Sequence, residues 1–256
     1  MMGLLVFKER LKAFYGKNSA FVIPVLKFIV GFTAIFLINR NAGFMPKISG
    51  PFVPVAIGLV STCLPYGTIA FLAGGFLLIQ LYAASLEVAV ITCIFLLIVV
   101  LLYYGFQPGD SILLLATPIL FFFKVPFAIP ILVGLAGSLV SVIPMSCGIF
   151  IYYVIMYVKQ NSSFLAGSEQ VEMTQVFAQV VKSLIGNQTM LVMVAAGCLG
   201  VLVVHVVKNL SINYSWGTAI AAGSIIQLIV IFVGDFKFGV SVSVPGLIIA
   251  IILSAA

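Results

Sequence analysis

Charge is what this sequence has least of. Only 7% of the 256 residues are charged, 63% are hydrophobic, and the mean hydropathy is +1.33. Typical water-soluble domains carry about 25% charged residues. The scarcity of charge excludes a soluble globular protein. It predicts an all-α fold, a polytopic transmembrane helical bundle whose main partner is the lipid bilayer.

Residues that carry catalytic chemistry are also scarce. The chain has one histidine, His205, and its four cysteines lie singly inside apolar runs without C-x-x-C spacing. No metalloprotease, nucleophile-elbow or phosphate-binding motif is present. Asp110 and Asp235 each follow a glycine, as in intramembrane aspartyl proteases, but both lie at segment edges where capping acids are expected. The sequence therefore predicts a protein that is not an enzyme and holds no metal or cofactor.

A dense basic patch is absent as well. The net charge of +6 comes from twelve Lys and Arg residues that are scattered between apolar runs. Single cations of this kind are typical of the residues that flank membrane segments, where they face anionic headgroups. We therefore predict no nucleic-acid partner.

What the chain does have is a series of long apolar runs, which predict about nine or ten membrane segments. Several of them are too short for a ~30 Å hydrocarbon core at 1.5 Å per residue. Prolines open or interrupt these short runs, and the candidate helix breaks are Pro65, Pro118, Pro126 and Pro144. The predicted segments are 20–38, 50–64, 67–84, 86–105, 110–123, 127–141, 144–158, 189–207, 213–233 and 239–256.

Two amphipathic stretches accompany this hydrophobic material. Residues 1–17 are predicted to form an N-terminal interfacial helix, with its helical periodicity over 3–15 and a stop at Gly16. Residues 18–256 then form a single membrane domain, whose one long polar loop contains an amphipathic surface helix over 168–185. The N-terminal helix could lie in the membrane surface, and the loop helix could cover the bundle. Alternatively, either helix could dock another subunit or a second copy of the chain.

The positive-inside rule gives an expected orientation. Nine crossings, with irregular backbone inside 50–105, place Lys124, Lys159, Lys182 and Lys237 on the side of the basic N-terminus. Arg40, Lys47 and Lys208 then lie on the other side. The predicted location is a cell membrane with the N-terminus cytoplasmic, and the excess of lysine over arginine suggests a prokaryotic plasma membrane.

Four polar residues are candidates for a transport path. Glu87 follows Ser85 near a predicted helix start, so it is either a capping acid or an ion-binding carboxylate. Lys124 lies at a predicted turn between Pro118 and Pro126, where it either snorkels to water or reaches into a pathway. Ser138 and Ser141 precede Pro144, where they could bind freed carbonyl groups or a polar solute.

A weak internal similarity bears on function. The stretches "LPYGTIAFLAGG" (64–75) and "VPFAIPILVGLAG" (125–137) share a proline, an aromatic residue, an apolar run and small residues. If 50–105 and 110–158 each hold three segments, the two halves have opposite orientations, as in many secondary transporters. We therefore predict a permease-type protein, a small transporter or its membrane subunit, that moves a small solute or ion. The alternative is a non-transporting scaffold subunit of a larger envelope complex.

Overall fold

The computed structural model describes residues 2–106, 108–161, 173–211 and 214–239. Within these ranges the chain is helical and contains no strand, which confirms the predicted all-α bundle. The helices in chain order are α1 (Met2–Ala42), α2 (Phe52–Ser61), α3 (Tyr66–Tyr82), α4 (Leu86–Phe106), α5 (Ser111–Phe122), α6 (Ala128–Ala136), α7 (Val142–Gln160), α8 (Met173–Ile185), α9 (Gln188–Lys208) and α10 (Ser215–Phe238).

Nine of the ten predicted segments coincide with helices, namely α1 to α7, α9 and α10. The tenth, 239–256, lies outside the described residues apart from Gly239. Four stretches are long and apolar enough to cross a bilayer, and several shorter apolar helices accompany them. This set of helices fits a multi-pass membrane protein. The four long stretches are Gly16–Ala42, Leu139–Gln160, Phe177–Lys208 and Ser215–Phe238.

The N-terminal helix differs from the prediction at its end. α1 continues through Gly16 and has its one non-helical residue at Asn18, with φ −117° and ψ 22°. The helix is thus kinked at Asn18, two residues after the predicted stop, so residues before and after Asn18 form separate helical pieces. A helical glycine costs about 1 kcal/mol but does not force an end, whereas asparagine side chains compete with helical hydrogen bonds.

Helices α2, α3 and α4 form a first unit that enters the bundle beside the C-terminal end of α1. The last residue of α2, Ser61, lies against Gly31, so α2 runs back along α1. α3 then runs forward along α1, because Ile69 packs near Gly31 and Gln80 donates a 2.9 Å hydrogen bond to Asn39. α4 reverses direction once more and packs against α3.

Helices α5, α6 and α7 form a second unit of the same kind. Asp110, just before α5, accepts a hydrogen bond from Ser141, just before α7. Farther along, the Phe121 and Tyr152 rings lie 5.1 Å apart, so α5 and α7 run in the same direction. α6, which lies between them in the chain, must run in the opposite direction, because Ser138, which follows its end, contacts Ser141 at the start of α7.

The two units have opposite orientations. The ring centroids of Phe95 and Phe150 lie 4.6 Å apart, and Val99 packs near Cys147. A later residue of α4 therefore meets an earlier residue of α7, so the two helices are antiparallel. The first unit therefore enters from the end of the bundle that carries Lys159, and the second enters from the end that carries Asp110. We call these the Lys159 end and the Asp110 end.

The internal sequence similarity falls at equivalent places in these units. Residues 64–75 hold the turn after α2 and the start of α3, and residues 125–137 hold the turn after α5 and all of α6. The repeat is imperfect in length, because α3 has 17 residues and α6 has 9. Each unit thus consists of a helical hairpin followed by one long helix.

Helices α9 and α10 pack against each other at glycines. Gly223 lies directly against the Val204 side chain, and a Cβ on Gly234 would lie 2.6 Å from Val192 Cγ1. Val204 also contacts Gly134 of α6, since a Cβ there would lie 2.6 Å from Val204 Cβ. The small size of glycine thus allows the backbones to approach closely, as expected for helix contacts in lipid.

Helix α8 corresponds to the described part of the predicted surface helix 168–185, of which residues up to 172 lie outside the described ranges. Its Val180 and Leu184 are buried against the core at the ends of α4 and α7, with Phe177 beside them. Its Lys182 is exposed. The described part of its apolar stripe, from Phe177 to Leu184, therefore packs on the bundle.

The predicted separation of positive charges is wrong. Lys159 donates a 2.9 Å hydrogen bond to Asn41, which is adjacent to Arg40 at the end of α1. Lys159 and Arg40 therefore lie at the same end of the bundle, whereas nine crossings required opposite sides. The hairpin α2–α3 begins and ends at the Lys159 end, so α4 alone carries the first unit to the other end, and every later loop lies on the side opposite to the prediction.

Candidate functional site

A cavity of about 420 Å³ lies where the two units meet. Helices α3 and α4 of the first unit and α5 and α7 of the second form most of its wall, and α1 closes it. Its volume is in the range of small-molecule binding sites, roughly 300–1,000 Å³. The lining side chains are apolar apart from one thiol: α1 supplies Ala34, Leu37 and Ile38; α3 supplies Gly67, Ala70, Phe71, Ala73, Gly74, Gly75, Leu77 and Leu78; α4 supplies Cys93, Leu96, Leu97, Val99 and Val100; α5 supplies Leu114, Leu115, Pro118, Ile119 and Phe122; and α7 supplies Ile151 and Ile155.

Small residues on α3 leave this space open. A Cβ placed on Gly75 would meet no atom within 4 Å, and one on Gly74 would lie 3.6 Å from Leu96 Cδ1, an ordinary contact. A Cβ at either position would therefore meet no close obstacle. Gly74 and Gly75 thus leave room beside α3 that a larger side chain at either position would take up.

The cavity has an edge that reaches the outside of the bundle between α3 and α4. Phe71 on α3 is 72% exposed and Leu97 on α4 is 57% exposed, and both line the cavity. Cys93 is also exposed at this edge. The opposite wall is closed, since Leu115 and Ile155 are buried. The opening thus faces the apolar surroundings of the helices.

A buried glutamine fixes the α3 wall at the Lys159 end. The Gln80 side chain is fully buried; its Oε1 accepts a 2.9 Å bond from the Met45 N–H, and its Nε2 donates to Asn39 Oδ1 at 2.9 Å and to Ser49 Oγ at 3.1 Å. Ser49 Oγ in turn donates to the Met45 carbonyl at 2.8 Å. This network ties the loop between α1 and α2 to the end of α3.

Two of the predicted path residues meet at the Asp110 end. Ser141 is fully buried and donates to Asp110, while the Ser138 N–H donates to Ser141 Oγ at 3.1 Å. The two hydroxyl groups also lie 3.1 Å apart. This cluster joins the start of α5 to the turn before α7, away from the cavity wall. The sequence indicates Asp110 as an acid at a segment edge but gives no sign of its contact with the serines.

The other two predicted path residues lie elsewhere. Glu87 is half-buried in the first turn of α4, where Ser85 Oγ donates to its carboxylate. Lys124 is exposed in the turn between α5 and α6, with φ +60°. The Lys124 N–H bonds to the Phe121 carbonyl and the Val125 N–H to the Leu120 carbonyl, which is a Schellman end of α5. Neither Glu87 nor Lys124 lines the cavity.

The predicted helix-break prolines occupy different local positions. Pro65 immediately precedes α3, and Pro126 lies in the turn between α5 and α6. Pro144 is in the first turn of α7, where its missing N–H is tolerated. Pro118 lies inside α5, which continues past it to Phe122, and it packs against Gly148 of α7.

Sequence reasoning missed two buried polar side chains, Thr117 and Gln227, which lie where the second unit meets α9 and α10. Gln227 on α10 is 2% exposed and Thr117 on α5 is fully buried, and both line a second, small cavity bounded by α6, α7 and α9. Their side-chain polar atoms have no hydrogen-bond partner among the described residues. A glutamine inside a long apolar run is the sequence signal that could have drawn attention to Gln227 and Gln80.

Comparisons of the chain with known proteins found no relative. No protein-family model, no curated protein and no solved structure matches the chain. The functional proposal therefore rests on the geometry of the two units and of the cavity between them.

Proposed function

We propose that this chain is a permease-type membrane protein, a small transporter or the membrane subunit of one, with the cavity between the two units as its substrate site. One observation carries the proposal: the two three-helix units have opposite orientations and meet at a cavity. Secondary transporters commonly place their binding site at the interface of inverted repeats.

The shape of the units supports a gating role for the hairpins. The hairpin α2–α3 enters from the Lys159 end and the hairpin α5–α6 enters from the Asp110 end. Helices α2 and α6 have 10 and 9 residues, so each is shorter than the about 20 residues that a crossing requires. Movement of one hairpin at a time would expose the cavity to one side of the bundle at a time.

The lining of the cavity bears on the class of solute. The described side chains around it include no charged group and no hydroxyl or amide group. An ion in such a site would lose its hydration without gaining compensating ligands. We therefore propose an apolar or weakly polar solute and leave Glu87, Lys124, Ser138 and Ser141 outside the binding site.

The experiment measures exchange between conformations at the two hairpin turns. Cys63 lies in the first turn, and Lys124→Cys provides a thiol in the second, with Cys93, Cys147 and Cys198 replaced by alanine. We expect pulsed electron paramagnetic resonance of the doubly spin-labelled protein in lipid nanodiscs to give two distance populations, because alternating access moves one hairpin relative to the other.

A control pair reports on a part of the bundle that should stay fixed. Leu191→Cys and Phe236→Cys, with all four native cysteines replaced, carry labels on exposed positions of the closely packed α9 and α10. This pair should give one narrow population. A single narrow population for the hairpin pair too, in every lipid and at every temperature tested, would contradict the permease proposal and favour the scaffold.

A further inference from the structure

We infer that the cavity between the units binds one hydrocarbon chain of a membrane lipid, which enters sideways between α3 and α4. This inference rests on the proposed permease function and names the class of its substrate: a lipid or lipid-like molecule taken from the bilayer.

The depth of the opening is the first argument. The cavity-lining residues of α4 run from Cys93 to Val100, and α4 begins at Leu86. At 1.5 Å per residue the opening therefore begins about 10 Å from the start of the helix and extends to about 21 Å. α4 has 21 residues, or about 31 Å. The opening thus lies at the level of lipid tails, not of headgroups or water.

The chemistry of the wall is the second argument. Every described lining side chain is apolar except the Cys93 thiol, so the wall offers a peptide or sugar no hydrogen-bonding side chain beyond that weak donor. A cavity lined in this way also does not retain water. An unfilled void would forfeit the dispersion contacts of its lining atoms. A hydrocarbon chain restores those contacts without requiring a polar partner.

The exposed residues at the opening are the third argument. Phe71 and Leu97 each contribute to the cavity wall and also face outward, so they connect the cavity directly to the lipid around the bundle. The polar network around Gln80 is buried and engaged with the loop at the Lys159 end. It therefore does not present a polar group to the opening.

Photo-crosslinking in vesicles tests this directly. The protein is reconstituted in phosphatidylcholine vesicles containing a phospholipid with a diazirine in one acyl chain, and crosslinked residues are mapped by mass spectrometry. Surrounding lipids can reach exposed Phe71 and Leu97 in any case. Only an inserted chain can reach Leu77, Leu115 and Ile155, which line the cavity and are 5% exposed or less. We expect crosslinks at these three residues.

Filling the cavity provides the matched comparison. Gly75→Leu adds a side chain at a position that lines the cavity and has open space around it. Crosslinking at Leu77, Leu115 and Ile155 should then fall by about tenfold or more, because a loss of about 1.4 kcal/mol in binding free energy lowers affinity tenfold. Gly217→Leu makes the same chemical change on α10 at a position that is equally open but distant from the cavity, and it should leave the crosslinks unchanged. Ala70→Leu fills the same cavity from another turn of α3 and replaces Gly75→Leu if that variant does not fold.

Two outcomes would overturn the inference. Crosslinks confined to exposed residues such as Phe71 and Leu97 would mean that no chain enters. If the crosslinks at the buried residues persist in folded Gly75→Leu or Ala70→Leu, the lipid chain reaches those residues by a route other than the cavity. The spin-label experiment is independent of this one. Two hairpin conformations without crosslinks at the buried residues would support the permease proposal and exclude a lipid chain as its substrate. Crosslinks at the buried residues with a single hairpin conformation would support a lipid-binding site that does not take part in transport.

Discussion

Gln80→Met should lower the stability of the protein by about 2–4 kcal/mol, or roughly 5–15 °C in Tm. Methionine has a similar length and shape but removes the amide. The Met45 N–H, Asn39 Oδ1 and Ser49 Oγ would each lose a partner in a partly buried setting. Leaving such groups unsatisfied costs more than the mean value of a hydrogen bond.

The same substitution at Gln227 provides the control and should act in the opposite direction. Gln227 is buried but its amide has no partner among the described residues, so its desolvation is not compensated. Gln227→Met should therefore raise stability by about 1 kcal/mol. Thermal unfolding of both variants in one detergent compares them directly. An equal loss of stability in both would contradict the assignment of distinct roles to the two amides.

Gly223→Leu should lower the free energy of unfolding by about 2–4 kcal/mol, because it forces α9 and α10 apart. Gly223 lies directly against Val204, and a Cβ placed on it would also lie 3.7 Å from the Gly200 carbonyl oxygen. Leucine gains up to about 1 kcal/mol in helix propensity over glycine, so the measured loss is net of that gain.

Gly217→Leu is the matched control for this prediction. It lies on the same helix, and a Cβ placed on it would meet no atom within 4 Å. Only the propensity gain should then remain, so stability should stay equal or rise. A partial rescue of Gly223→Ala by Val204→Ala would show that these two residues are coupled. Equal effects of leucine at 217 and 223 in thermal unfolding would argue against the close contact of α9 and α10.

The helices could be predicted from the sequence because the bilayer imposes a strong rule. In lipid every backbone polar group must be satisfied internally, so long apolar runs become helices with little ambiguity. The prolines at 65 and 126 then locate the turns of both hairpins. The similarity between 64–75 and 125–137 also points to two halves, and the contacts of α4 with α7 give these halves opposite directions.

The directions of individual helices could not be obtained from charge. Each end of the bundle carries cations: Arg40, Lys47 and Lys159 lie at one end, while Lys208 at the other donates to the Leu135 carbonyl at 3.0 Å. A rule based on an excess of positive charge cannot distinguish the two ends of such a distribution. The contact between Lys159 and Asn41 shows which loops share an end.

The site was harder to predict than the fold. Gln80 and Gln227 both lie inside apolar runs, and nothing local distinguishes the one that is hydrogen-bonded from the one that is not. Gly74 and Gly75 line the cavity, but a glycine in a helix can either leave space or allow close packing, and which of the two occurs depends on the helices that face it. Charged and hydroxyl residues stand out in the sequence, yet the cavity between the two units is apolar.

The opposite orientation of α2–α4 and α5–α7 is tested most directly by side-specific cysteine labelling. In a background without the native cysteines, single cysteines replace Lys47 and Ala83, which lie at the Lys159 end, and Gly109 and Val140, which lie at the Asp110 end; all four positions are exposed. A membrane-impermeant maleimide is applied to sealed vesicles of known orientation. We predict that 47 and 83 are labelled from one side and that 109 and 140 are labelled from the other. Labelling of 47 and 109 from the same side would contradict the opposite orientation of the two units.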